Sequence, residues 1–189
     1  VINSNIIFDF DDTIYLYPPN KRPNLMFKLL WDKKKIERII RLSKHTIVSN
    51  NFLKLYAERF SKRITVIPTS VDLNNYPINK QSKDLSSDTI KIGWIGSQGT
   101  FHYLENIFPA FKKLAERYKI ELIVIGARGG IIDGLPITYK EWSLETEADN
   151  ISDFDIGVMP LTDDEWSRGK SGTKLLQYMA SGIPAVASA

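Results

Sequence analysis

The chain has 189 residues, 43% of them apolar and 25% charged, with a net charge of +3, which suits one large globular domain or two small ones. It has no cysteine, which excludes a disulfide framework and a thiolate metal site. No apolar run approaches the roughly 20 residues of a membrane-spanning helix. The charge is uneven: residues 1–78 carry 13 Lys/Arg against 7 Asp/Glu, and residues 79–189 carry 12 against 15. A basic first part and a mildly acidic second part read as two units with different partners. The N-terminal VINSNIIFDF has neither a basic n-region nor a long apolar core, so it does not read as a signal peptide. With no starting Met and a last strand with nothing after it, the chain reads as a fragment cut at both ends.

In chain order, NIIFDF (5–10) is a short apolar strand that ends in Asp9, Asp11 and Asp12, followed by a Pro- and Asn-rich loop from Tyr15 to Asn24. Over residues 25–42, Leu29, Leu30, Ile36, Ile39 and Ile40 recur at helical spacing among basic residues. That pattern fits a surface helix, or one lying on an anionic membrane. HTIVS (45–49) is a strand, Asn50 or Asn51 caps a helix running to about Arg59, and ITVIP (64–68) is another strand. PINKQSKDLSSDT (77–89) is nearly free of large apolar residues and reads as the linker.

After the linker come the strand IKIGWI (90–95), the loop Gly96–Thr100, and a long helix. Its apolar stripe runs through Tyr103, Leu104, Ile107, Phe108, Phe111, Leu114 and Ala115, and Pro109 should kink it. ELIVI (121–125) is a strand closed by Gly126, residues 127–136 form a Gly-rich loop, and 137–139 and 155–159 are further short strands. The last stretch, Trp166–Ala189, reads as a loop, a helix and a strand. Ser171 can cap that helix, Gly182 can end it, and Leu175, Leu176 and Met179 give it an apolar face. Ile183–Ala187 has the continuous apolar pattern of a parallel strand covered on both faces. The alternation predicts a doubly wound parallel sheet, with ligand loops at the strand ends Gly96–Gly99, Gly126–Gly130 and Pro160–Lys170. The residues before the linker look like the remnant of a second α/β unit.

Charge singles out the last stretch. Arg168, Lys170 and Lys174 crowd a helix N-terminus, where cations oppose the backbone dipole. A bound anion would offset both, and a solvated basic loop is the plainer reading. A second signal is DFDDTI (9–14), which matches the D-x-D-x-T-[L/I/V] pattern of haloacid-dehalogenase-type phosphatases. There the first Asp attacks phosphorus and the second acts as acid and base beside Mg²⁺. Ser49–Asn50 and Asp163–Asp164 mimic later motifs of that family, but no lysine stands out for the third.

Several segments together resemble glycosyltransferase family 4, the retaining group 1 transferases of the GT-B fold, over nearly the whole chain. IVSNNFLKLYAERF and ITVIPTSVDLNNY resemble the end of the acceptor domain, with Thr69–Ser70 in place of Asn-Gly; KIGWIGSQGTFHYLENIFPAFKKLA resembles the start of the donor domain; DIGVMPLTDDEWSRGKSGTKLLQYMASGIPAVAS resembles its nucleotide-sugar site. The resemblance implies an α/β, GT-B-type fold: a Rossmann-like doubly wound donor domain over 79–189 and the C-terminal part of a Rossmann-like acceptor domain over 1–78. It implies a retaining hexosyltransferase of cell-surface polysaccharide or glycolipid synthesis, with no metal and no cofactor beyond the nucleotide-diphosphate sugar. The implied partners are that donor and a glycan, lipid-linked or other acceptor, with no nucleic acid and with peripheral association at the cytoplasmic face of a membrane. A Mg²⁺-dependent phosphatase on Asp9 and Asp11 is the alternative, and a non-catalytic sugar-nucleotide-binding domain is the third reading.

By position in the resemblance, Lys170, Ser171 and Gly172 would face the diphosphate, with Lys174 and Arg168 in support. Gly96 and Ser97 would approach the donor, and residues 126–142 would flank the base. Trp142 reads slightly better as a core residue, and His102 as a surface residue. Gln177 stands where the family has the glutamate that binds ribose hydroxyls. Gly169 stands where it has the sugar-contacting glutamate. The catalytic acid is therefore unassigned, with Asp163, Asp164 and Glu165 as candidates.

Overall fold

A computed structural model describes residues 5–17, 32, 34–76 and 88–188. The expected linker lies largely outside these residues, as do positions 25–31 and 33 of the expected first helix. The chain falls into two compact units: Val1–Thr69 with Asp163–Gly172, and Ser70–Thr162 with Thr173–Ala189.

In the first unit, β1 (Ile7–Phe10), β2 (His45–Val48) and β3 (Ile64–Val66) form a three-stranded parallel sheet in that order. Helices α1 (Lys35–Leu42) and α2 (Asn51–Ala57) accompany it. Phe10, Ile40, Val48, Leu53 and Ala57 make its buried core, with Tyr15 and Tyr56 stacked beside it. Asn50 caps α2: its side-chain oxygen accepts from the Leu53 N–H at 2.9 Å, satisfying a donor that the helix leaves unpaired.

The second unit is a five-stranded, all-parallel sheet of β4 (Ile90–Ile95), β5 (Ile120–Ile125), β6 (Ile137–Lys140), β7 (Ile156–Met159) and β8 (Ala185–Ala187). Its spatial order is β6-β5-β4-β7-β8. Counting strands within the unit, that is 3-2-1-4-5, the doubly wound Rossmann order with its switch point between β4 and β7. Strand side chains alternate between faces, and two separate cores follow. Ile92, Trp94, Leu122 and Val124 join α3 (Phe101–Glu105) and α4 (Phe108–Ala115) on one side. Ile95, Ile123 and Ile125 meet Ile151 of α5 (Glu147–Ser152) and Tyr178 of α7 (Thr173–Ala180) on the other. Burial on both faces is why these strands read as continuous apolar runs.

Three local expectations are corrected. The single helix after Thr100 is two, because Pro109 has no N–H to donate and its ring opposes the preceding turn. The chain restarts as α4 with Pro109 in its first turn, where proline is tolerated. Helix α7 does end at Gly182, whose φ is +72°. The Ile183 N–H bonds to the Tyr178 carbonyl at 2.8 Å and the Gly182 N–H to that of Met179 at 3.0 Å, a Schellman motif. Its buried face, however, centres on Tyr178, which is 0% exposed, while Met179 is 59% exposed. Finally, β8 is shorter than expected, and all three of its residues are exposed, since it is the edge strand of the sheet among the described residues.

Tyr178 has a specific task at the switch point. Strands β4 and β7 pair at Ile92↔Ile156 and Gly93↔Gly157 and then part. The Tyr178 hydroxyl bridges the gap, accepting from the Ile95 N–H and donating to the Val158 carbonyl, each at 3.3 Å. Burial raises its pKa well above the ordinary tyrosine value, which keeps the hydroxyl proton available to donate. No helix among the described residues is long and apolar enough to cross a membrane.

Candidate functional site

The second unit holds a pocket of about 350 Å³ lined by Ile95, Gly96, Ser97, Gly126, Trp142, Glu147, Lys174 and Gln177. It lies at the carboxyl ends of β4 and β5, beside the point where β4 and β7 diverge. Open parallel sheets bind their ligands at such crevices. Backbone contact builds its floor. The Gly96 N–H bonds to the Ile125 carbonyl and the Gly126 N–H to that of Lys140, each at 3.0 Å, carrying the ladder past the strand ends. Gly126 has φ of +82°, and a Cβ there would stand 2.6 Å from the Gly96 carbonyl oxygen, so no other residue fits.

Polar side chains enter from three directions. Lys174, in the first turn of α7, sets its ammonium 5.6 Å from the centre of the Trp94 ring. A cation over an aromatic face is attracted without losing its charge. Gln177, one turn further on, donates from Nε2 to the Tyr76 hydroxyl at 3.0 Å and to Glu147 Oε1 at 2.8 Å. Glu147 Oε1 also accepts from the Tyr76 hydroxyl, and its Oε2 accepts from the Trp142 indole N–H at 2.6 Å. Tyr76 titrates above the usual tyrosine value, chiefly through burial and then through its bond to Glu147.

Beside the pocket the first residues of the Gly-rich loop are tied down from two sides. Gln98 holds the Arg128 backbone with two bonds, its Nε2 donating to the carbonyl and its Oε1 accepting from the N–H, both at 2.9 Å. The Tyr139 hydroxyl reaches the carbonyls of Gly129 and Gly130. His102 packs its ring on Tyr103.

The residues expected at the site divide between the two units. Gly96, Ser97, Lys174 and Gln177 share the pocket. Arg168, Lys170, Ser171 and Gly172 belong to the first unit, as do the candidate acids Asp163, Asp164 and Glu165. There the Arg168 guanidinium donates to Asp163 Oδ1 from Nε at 3.0 Å and from Nη2 at 2.8 Å. Lys170 pairs with Asp12 at 3.3 Å and lies 5.7 Å from the centre of the Trp166 ring. Asp164 caps the short helix α6 (Glu165–Arg168), accepting from the Ser167 N–H at 2.7 Å. Carboxylates of their own unit thus stand beside two of the three cations that crowd this stretch.

Gly169 also has a local explanation. A Cβ at this position would stand 2.2 Å from Thr13 Cγ2 and 3.2 Å from Leu53 Cδ2. Its carbonyl accepts from Asn50 Nδ2 at 2.9 Å. The first unit packs too tightly here for any side chain, the expected glutamate included. The DFDDTI strand end is tied down as well: the Asp11 carbonyl accepts from Ser49 Oγ at 3.2 Å, and Thr13, fully buried, donates to the Trp166 carbonyl at 3.3 Å. No group of three His, Asp or Glu side chains among the described residues gathers as a metal site.

Trp142 corrects an expectation: it is 52% exposed and lines the pocket instead of entering the core. Tyr76 and Glu147 were missed. Each lies in a polar stretch where periodicity gives no signal, and Tyr76, though it ends the segment ITVIPTSVDLNNY, has no role suggested by its position there.

No family model and no curated protein matches the chain. Among solved structures it is similar to trehalose-6-phosphate synthase, from work on enzymatic glycosyl transfer with retention using bisubstrate glycomimetics. The TM-score is 0.57 at 14% sequence identity, over 97% of this chain and 52% of that one. The chain thus spans about half the length of the solved structure it matches. The likeness is one of fold: α/β, with Rossmann-like parallel sheets, the GT-B-type class expected from the sequence.

Proposed function

We propose that the second unit binds the nucleotide end of a nucleotide-diphosphate sugar, and that the whole protein transfers the sugar to an acceptor with retention at the anomeric carbon. One observation carries the reading: the pocket at the β4/β7 switch point gathers Gly96, Ser97, Lys174 and Gln177 on the carboxyl ends of a 3-2-1-4-5 parallel sheet. The fold-level likeness to a retaining synthase agrees with it.

The chemistry follows from charge. As the bond between sugar and diphosphate breaks, negative charge builds on the leaving oxygens. A cation already in place stabilises that charge without reorganising at the moment of reaction. Lys174, held over Trp94, takes that role. Gly96 and Ser97 let the backbone approach the donor closely. Trp142 flanks the base, and Gln177 bonds the ribose. Arg168, Lys170, Ser171 and Gly172 enter the proposal through their sequence positions, as do Asp163, Asp164 and Glu165 for the sugar. The acceptor is a glycan, a lipid-linked sugar or a similar hydroxyl compound, and transfer proceeds without metal.

Calorimetric titration with UDP, GDP and ADP in EDTA tests the reading. Saturable binding of one of them at micromolar to millimolar concentration is expected. No binding of any of the three, with Mg²⁺-dependent hydrolysis of a phosphate ester that is lost in Asp9→Asn, would replace it with the phosphatase reading.

A further inference from the structure

Gln177 sits where an acceptor-only carboxylate is expected, yet an amide carries both donors and an acceptor. The hydrogen bonds around it decide which end the pocket sees. An indole N–H and an amide NH₂ only donate. Glu147 is 9% exposed and takes donors on both oxygens, from Trp142 on Oε2 and from Tyr76 and Gln177 on Oε1. The Tyr76 hydroxyl gives its single proton to Glu147 and accepts from Gln177. Both N–H groups of Gln177 are thereby used, one on Glu147 and one on Tyr76. The reversed amide would set its carbonyl oxygen against a buried carboxylate oxygen at 2.8 Å, a repulsive contact.

We infer that Glu147 and Tyr76 are positioning residues: they lock the Gln177 amide so that its carbonyl oxygen is the polar atom offered to the pocket, which then selects a ligand hydroxyl that can donate. Within the proposed function, on which this inference rests, that hydroxyl belongs to the ribose of the nucleoside diphosphate. Glu147 does not touch the ligand. It restores, through the amide, the acceptor character that the change from glutamate to Gln177 would otherwise weaken. Burial and the bond to Glu147 raise the Tyr76 pKa, and its hydroxyl donates to Glu147.

The test compares ribose with deoxyribose ligands on the 189-residue chain. Whichever of UDP, GDP and ADP binds is titrated beside its 2′-deoxy and 3′-deoxy forms. In the unaltered protein one deoxy form binds about fivefold more weakly, the loss expected for one neutral hydrogen bond. In Glu147→Gln the amide of Gln177 loses the carboxylate that anchors it and is no longer held against the ligand, and that ratio falls toward one. Tyr76→Phe keeps the ring in the core, lowers the ratio in the same direction, and carries the test if Glu147→Gln does not fold. A purely structural network would shift the affinities for both ligands together and leave their ratio unchanged. Equal affinities in the unaltered protein, or a ratio that persists in both variants, overturns the inference while leaving the donor site in place. Failure of all three diphosphates to bind removes the proposed function and the inference with it.

Discussion

Tyr178→Phe removes one oxygen atom from the centre of the second unit. That oxygen is the partner of two buried backbone groups, the Ile95 N–H and the Val158 carbonyl. Ile95 is 5% exposed and Val158 7%, so water does not readily replace it. A buried polar group left unpaired costs about 1–3 kcal/mol. Both bonds are long, at 3.3 Å, which places each near the low end and the sum at about 2 kcal/mol. In urea, with a slope of about 2 kcal/mol/M, the midpoint falls by about 1 M. Fluorescence of Trp94, 1% exposed in the core on the other face of the same sheet, follows the transition. The pH dependence supplies an independent check. The folded-state pKa of Tyr178 is raised, so above the unfolded tyrosine value of about 10 the unfolded chain releases a proton that the folded one keeps. Stability tied to this group is full below pH 10 and is lost as pH rises beyond it, at about 1.4 kcal/mol per unit. The variant lacks that loss. Tyr15, Tyr56, Tyr76 and Tyr139, also raised, are common to both proteins and cancel. The gap of about 2 kcal/mol at pH 8 should therefore close near pH 11.5. A gap below about 0.5 kcal/mol at pH 8, or one that stays constant to pH 11, would refute the bridging role.

Further substitutions probe the remaining assignments. Gly169→Ala drives a methyl to 2.2 Å from Thr13 Cγ2 and should destabilise the first unit by about 1–3 kcal/mol. Thr13→Ser removes that methyl while keeping the hydroxyl, so the double variant should recover most of the loss in urea unfolding. Asn50→Ala deletes both the cap on Leu53 and the bond to the Gly169 carbonyl; a cost of about 2 kcal/mol is expected in urea unfolding, and Asn50→Asp, which keeps the cap but sets a carboxylate oxygen against that carbonyl, should also destabilise. Lys174→Met keeps most of the side-chain volume but removes the charge, and affinity for the nucleoside diphosphate should drop about tenfold or more by calorimetry. An unchanged affinity would show that Lys174 is not the diphosphate cation.

The central strands were legible because burial on both faces leaves one clear mark, a run of apolar residues closed by glycine. IKIGWI and ELIVI are such runs, and they became β4 and β5 with Gly96 and Gly126 at the pocket floor. At the end of the chain the same composition marks Ala185–Ala187, which lies at the edge of the sheet among the described residues. Apolar composition reports strand preference, whereas edge or centre is decided by neighbours distant in sequence. Helix α7 misled for a related reason. Periodicity favours Met179 for burial, but the parting of β4 and β7 leaves two backbone groups that the Tyr178 hydroxyl satisfies, and Tyr178 takes the interior place.

The site was legible where its residues share an element with a backbone signal, and silent where they converge from separate elements. Lys174 and Gln177 sit one turn apart on α7, so one helix accounts for both. Tyr76 and Glu147 lie 71 positions apart and meet only because both reach the same side of the sheet. Local charge also hides its own neutralisation. Arg168 and Lys170 look like an uncompensated cluster beside a helix start, yet Asp163 and Asp12 stand against them, the latter 158 positions away. The two positions where the sequence departs from the pattern it resembles then have different physical characters. Gly169 is a packing requirement of the first unit, for any side chain there meets Thr13. Gln177 is an amide on the pocket wall, and the Glu147 carboxylate holds it by a hydrogen bond.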